Sequence, residues 1–149
     1  VRNTQVHGNL DALDPLTGQM DLVLTDAPCT GSGTWRRRPD AKWRLNDQQL
    51  ERRVQDQKEV LESAKHYVKP GGRLAYVTCS LFAEENTRQV EQFLAGNTDF
   101  SEVTPEALWD TIVADAGDVK PVFSSHGVVF SPLSTGTDGF YVSLLQRSN

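Results

Sequence analysis

Asp21-Leu22-Val23-Leu24-Thr25-Asp26-Ala27-Pro28-Cys29 is an apolar run that breaks into a short polar motif, and Arg73-Leu74-Ala75-Tyr76-Val77-Thr78-Cys79-Ser80 repeats the arrangement further along the chain. Apolar runs of about four to six residues bounded by turn residues have the form of buried strands in a parallel sheet. In open α/β sheets, ligands bind outside the carboxyl ends of such strands. The two cysteines, the only ones among 149 residues, are therefore expected to point into one crevice.

Cysteine at a strand end has blander uses, as a small buried hydrophobe or as half of a disulfide. The first residues, Val1-Arg2-Asn3-Thr4-Gln5-Val6, have neither the basic stretch nor the apolar run of a signal peptide, so nothing points to an oxidising compartment and a structural disulfide. A zinc site needs further ligands at close spacing, whereas His7, His66 and His126 lie far from one another and from both cysteines. No metal is expected.

Composition describes one domain, or part of one, without a membrane-spanning run: 38% of residues are hydrophobic and mean hydropathy is -0.46. A net charge of -5 and a pI of about 5.1 argue against a protein that coats nucleic acid non-specifically. One segment departs from that average. Trp35-Arg36-Arg37-Arg38-Pro39-Asp40-Ala41-Lys42-Trp43-Arg44 holds five basic residues against one acid and two tryptophans. Such a loop suits phosphate contacts beside surfaces that stack on a base, and it equally suits a solvated loop.

Strand and helix signals alternate. After the strand ending at Thr25 and a polar loop, Asn46 with Gln49 makes a capping-box pattern and predicts a helix start. Leu50, Val54, Leu61, Ala64 and Val68 form its apolar face, and Pro70-Gly71-Gly72 ends it before a strand over 73–78. A second helix is predicted from Glu84 or Glu85 to Leu94, with Val90, Phe93 and Leu94 facing inward and Gly96-Asn97 as the stop. A strand near 100–103 is followed by irregular chain through Pro105, Gly117 and Pro121 to Phe123; residues 127–130 suit a short strand or loop, and residues 140–145 a strand. The alternation points to an α/β fold with a doubly wound sheet.

Taken together, Asp26-Ala27-Pro28-Cys29-Thr30-Gly31-Ser32-Gly33-Thr34, Arg38-Pro39-Asp40, Lys42-Trp43, Pro70-Gly71-Gly72, Thr78-Cys79-Ser80, Glu84-Glu85-Asn86 and Thr137-Asp138-Gly139-Phe140-Tyr141 closely resemble the S-adenosylmethionine-dependent RNA cytosine-C5 methyltransferases, of the bacterial 16S ribosomal RNA and NOL1/NOP2/Sun types. The resemblance runs from about Asn9 to Arg147. It implies a Rossmann-like fold, a cytoplasmic enzyme and an RNA substrate. Carbon 5 of cytosine is a poor nucleophile, and a thiolate added at carbon 6 activates it. The resemblance assigns that thiolate to Cys79 and release of the product to Cys29. Asp26 matches the aspartate between cofactor and base, and Asp11 the acid at the adenine end of S-adenosylmethionine, although a lone aspartate before a helix also suits a cap. Arg38, Lys42 and Trp43 are the implied RNA contacts.

Members of that family carry, upstream, a glycine-rich loop and an acidic residue for the ribose, and neither motif occurs here. Residues 1–149 are accordingly expected to be the carboxyl-terminal portion of a catalytic domain truncated at its amino-terminal side, with Val1 to Val6 the end of a strand. The strand ending at Thr25 is then an edge, and the chain by itself is expected to self-associate, to bind the cofactor weakly or not at all, and to be inactive. Two rival readings stand beside this one: a DNA cytosine-C5 methyltransferase, in which the Pro-Cys thiol would be the nucleophile, and a non-catalytic RNA-binding module on the same fold.

Overall fold

The computed structural model describes residues 3–112 and 119–149. Six strands, β1 (Met20–Asp26), β2 (Val68–Thr78), β3 (Phe100–Glu102), β4 (Val122–Ser124), β5 (Gly127–Phe130) and β6 (Phe140–Arg147), form one sheet. Four helices accompany them: α1 (Pro39–Arg44), α2 (Asp47–Ala64), α3 (Thr87–Gly96) and α4 (Pro105–Ile112). The strand order is β1-β2-β6-β5-β4, with β3 also paired to β6. Only β1 and β2 run parallel; the other pairs are antiparallel. The α/β class therefore holds, whereas the described sheet is mixed rather than wholly parallel, because β6 returns antiparallel between β2 and β5.

Side-chain alternation along the central strands builds a core on each face. Leu74 and Tyr76 of β2 join Tyr141 and Leu145 of β6 beneath Leu61 of α2 and Val90 and Phe93 of α3. Ala75 and Leu144 point the other way, towards Leu108 of α4 and Val128 of β5. Edge-on contact of Tyr76 with Tyr141, ring centres 6.3 Å apart, ties the two central strands on the first face.

Strand β1 lies at one end of the sheet, as the resemblance implies, and its apolar residues are not the buried set its composition suggests. Leu22 is 55% and Leu24 62% exposed, while Thr25 is buried and donates its hydroxyl to the Ala75 carbonyl at 3.0 Å.

Helix α2 begins as its capping box dictates: the Asn46 side chain accepts from the Gln49 N–H at 2.9 Å, and the Gln49 side chain accepts from the Asn46 N–H at 3.2 Å. It ends earlier than periodicity suggests, at Ala64, followed by a 3-10 turn over Lys65–Tyr67. Val68 reaches the core from β2 instead of from the helix, and Pro70-Gly71-Gly72 is a bulge inside β2. Gly71 has φ of 71°, and a Cβ on Gly72 would lie 2.7 Å from the Met20 carbonyl oxygen, so both glycines are required by backbone geometry.

Further expectations are corrected. Residues 39–44, read as loop, form α1, with Pro39 in the first turn where its missing N–H costs nothing. Helix α3 starts at Thr87, since Asn86 before it has non-helical backbone angles, φ -118° and ψ -99°. Helix α4 occupies chain expected to be irregular: Pro105 is its first residue, and the Thr104 hydroxyl accepts from the Ala107 N–H at 3.3 Å, so the proline starts the helix rather than breaking it. Of the presumed strand at 1–6, Asn3 to Val6 are exposed and unpaired with the sheet, while Val1, Arg2 and Gly117 fall outside the described residues.

Candidate active site

Cys29 follows β1 and Cys79 follows β2, and the parallel register that pairs Asp26 with Val77 brings the two loops side by side. Their sulfurs stand 3.2 Å apart, both as free thiols and both partly exposed. The crevice expected from the strand ends is present. A hydrogen bond between the thiols divides their proton affinities. Donation from Cys29 lowers the pKa of Cys79 to about 7, against partial burial and the nearby charges of Asp26 and Glu85. The same bond, followed by burial, pushes Cys29 well above the ordinary thiol range. Of the pair, Cys79 is drawn towards the thiolate and Cys29 towards the thiol.

A buried polar network sets this geometry. The Glu85 carboxylate accepts from the Thr30 N–H at 2.8 Å, the Thr30 hydroxyl at 2.5 Å, Gln57 Nε2 at 2.9 Å and the Ser80 hydroxyl at 2.5 Å. Asn86 accepts from the Thr78 hydroxyl at 2.6 Å and donates to the Ser80 carbonyl at 2.9 Å, shaping the turn that follows Cys79. Gly33 N–H donates to the Cys79 carbonyl at 3.0 Å, and Gly139 N–H donates to the Gly33 carbonyl at 2.9 Å. A Cβ on Gly139 would sit 2.6 Å from Gly33 Cα, so the residues near the start of β6 press directly on the Cys29 loop.

Two adjoining clefts open at the thiols. One, of about 370 Å³, is lined by Cys29, Cys79, Gly31, Thr34, Arg37 and Arg38; the other, of about 320 Å³, runs from Cys29 past Arg44 and Gln49 to Arg52 and Arg53. Arg36 and Arg37 pair with Asp138, Arg44 with Asp40 and Arg53 with Asp56. Among the described residues no carboxylate lies within ion-pair distance of Arg38, Lys42 or Arg52. Trp43 is 82% exposed beneath the Lys42 ammonium, 5.4 Å from its ring centre. Trp35 differs from the expectation of a second open stacking surface: it packs edge-on against Phe82, ring centres 5.8 Å apart.

Asp26 ends β1 with an exposed side chain, close enough to Cys79 to oppose its ionisation. Asp11 lies apart from the thiols, exposed in a 3-10 turn over Asp11–Leu16. Asn9, rather than Asp11, caps that turn, accepting from the Ala12 N–H at 3.2 Å.

A family profile described as 16S rRNA methyltransferase RsmB/F matches residues 1–146. The chain belongs to this family. Similar curated members are named ribosomal RNA small subunit methyltransferase B: that of Pasteurella multocida is 39% identical over 129 residues, covering 87% of this chain and 26% of the relative. That of Shewanella oneidensis is 33% identical over 145 residues, covering 96% of this chain and 31% of the relative. The chain thus spans between about a quarter and a third of the length of these relatives. The crystal structure of PH0851 superposes with a TM-score of 0.75 at 37% identity, over 88% of this chain and 27% of that one. RsmB/F proteins are S-adenosylmethionine-dependent methyltransferases of Rossmann-like fold, in agreement with the class read from the sequence.

Sequence reasoning gave no place at the site to Gln57, Glu85, Gln49, Arg52 or Arg53. Gln57 carried a signal nonetheless, being a polar residue on the helical face of Val54, Leu61 and Ala64, where a fully buried amide needs partners. Gln49, Arg52 and Arg53 share a second face of α2 at spacings of three and four, visible as a polar stripe but without direction until the fold turns it to Cys29.

Proposed function

We propose that this chain carries the thiol chemistry of an RNA cytosine-C5 methyltransferase that acts in the cytoplasm on ribosomal RNA. The observation that carries this reading is the pair of free thiols 3.2 Å apart, one with lowered and one with raised proton affinity, at the mouth of arginine-lined clefts. In this reading residues 1–149 supply part of a catalytic domain, in keeping with matches that cover 26% and 31% of the relatives' length.

Exposed carboxylates on the β1 side fit part of a cofactor site. Asp26 and Asp11 are hydrogen-bond acceptors only, and the amino groups of S-adenosylmethionine are donors. Bound there, that molecule supplies an electrophilic methyl group.

The chain's own residues handle the base. The Cys79 thiolate adds to carbon 6, forming an S–C bond and moving the electron pair of the 5,6 double bond to carbon 5. Cys79 is now a neutral thioether, so the negative charge that kept Cys29 protonated is gone. Cys29 then loses its proton to solvent and, as thiolate, takes the proton from methylated carbon 5. That electron pair restores the 5,6 double bond and expels Cys79 as thiolate. Arg38, Lys42 and Arg52 hold backbone phosphates, and Trp43 offers a face for a neighbouring base.

Bisulfite mapping of RNA from cells with and without the full-length protein tests the reading. A ribosomal cytosine protected only when the protein is present is the expected result. Protection found in DNA, or in no nucleic acid, overturns it in favour of the DNA enzyme or the non-catalytic module.

A further inference from the structure

Glu85 has no exposed surface and no cation within ion-pair distance among the described residues, a costly position for a carboxylate unless hydrogen bonds replace its water. Four donors do so, and their positions along the chain are informative. Thr30 adjoins Cys29 and contributes two of them; Ser80 adjoins Cys79 and contributes the third; Gln57 contributes the fourth from α2, where the same Nε2 also reaches the Pro28 carbonyl at 3.0 Å. One carboxylate thus grips the residue beside each sulfur and the helix behind them. The Glu85 carbonyl is itself fixed by the Tyr76 hydroxyl at 2.6 Å, so the grip is anchored to the central strand.

Resting on the two-thiol mechanism, we propose that Glu85 is a positioning residue that sets the distance between Cys29 and Cys79 by latching their loops together. Its carboxylate makes no hydrogen bond to either thiol and acts through Thr30 and Ser80. Directional hydrogen bonds suit this task better than apolar packing, which tolerates sliding. A shift of about 1 Å in a reacting group costs on the order of a hundred-fold in rate.

The test is the pH profile of Cys79 alkylation by iodoacetamide in the full-length protein, followed by mass spectrometry of tryptic peptide 74–88. The charged and titratable groups facing Cys79 are Cys29, Asp26 and Glu85, with Arg37 and Arg38 across the cleft. Glu85→Ala has two opposed effects, which separates the explanations. Loss of a nearby negative charge lowers the half-maximal pH, whereas loss of the latch parts the thiols, removes the Cys29 donor and raises it from about 7 towards the ordinary 9.0. A rise is expected, and Glu85→Gln should reverse it, since its carbonyl accepts from the two N–H donors and its amide donates to the two hydroxyls. Should Glu85→Ala not fold, Thr30→Val with Ser80→Ala removes one arm on each side and must also raise the half-maximal pH. Folded variants with an unchanged or lowered value overturn the proposal. Methyl transfer at saturating RNA should fall about a hundred-fold in Glu85→Ala with RNA affinity retained. A wild-type protein that methylates no cytosine would defeat the proposed function while leaving the alkylation result to judge Glu85.

Discussion

Sulfur atoms 3.2 Å apart titrate in two separated steps, because the proton left on one stabilises the thiolate formed on the other, and this gives the pair an order of ionisation. Cys79 should therefore alkylate with a half-maximal pH of about 7, faster as pH rises because the thiolate is the reactive form. Cys29→Ala removes the donor and should move that midpoint upward; an unmoved midpoint would mean that another group lowers the Cys79 pKa. Under the proposed mechanism the same residues predict opposite fates for the two cysteine variants of the full-length protein. Cys79→Ala should transfer no methyl group and form no adduct, whereas Cys29→Ala should leave RNA covalently held, because elimination of Cys79 waits for removal of the carbon 5 proton. Denaturing gels with RNA and cofactor decide between this assignment and its reverse, in which Cys79→Ala would be the trapping variant.

At the level of elements, the basic face is assembled by α1 and the first half of α2, and its arginines are unequal. Arg36 and Arg37 are bound to Asp138 and should matter to the loop more than to RNA, while Arg38, Lys42 and Arg52 are available to phosphate. Replacing any one of the latter three by Ala should reduce the salt slope of RNA binding by roughly 0.7, the contribution of one phosphate contact in a single strand. Affinities measured across a salt series with an unchanged slope would return that side chain to the solvated surface. The contact of Gly139 with the Cys29 loop supports a stability prediction: Gly139→Ala forces backbone apart and should cost about 2 kcal/mol, lowering the melting temperature in calorimetry. Sequence alone disclosed the capping box of α2, strand β2 beyond its bulge, strand β6 and the meeting of the two cysteines, because each rests on local chemistry or on the rule for strand ends. It did not disclose α4, where Pro105 has opposite meanings inside a helix and at its first turn. Nor did it disclose the latch, since a glutamate's burial depends on donors from Thr30, Gln57 and Ser80 that only the fold brings together.

Across the whole molecule, β1 stands at one end of the sheet with Leu22 and Leu24 open, beside an apolar groove where Leu10 and Leu13 face Val60 and Tyr67. An unpaired apolar edge is a template for another chain. The 149-residue chain expressed alone should therefore self-associate in light scattering and bind S-adenosylmethionine weakly or not at all in calorimetry, and Leu24→Lys should shift it towards monomer. A stable monomer that binds the cofactor at micromolar concentration would contradict this account. The opposite side of the sheet's plan bears on how the protein is made. Strand β6 pairs with β2, β3 and β5, yet it is the last of the six to be synthesised. While the nascent chain is still threaded through the ribosome, β2 and β5 have no strand between them, and both cores lack a wall. Closure must wait for β6 to emerge, so the loops that carry the two thiols are made while their sheet is incomplete, and the growing polypeptide passes through a stage in which a chaperone has apolar surface to hold.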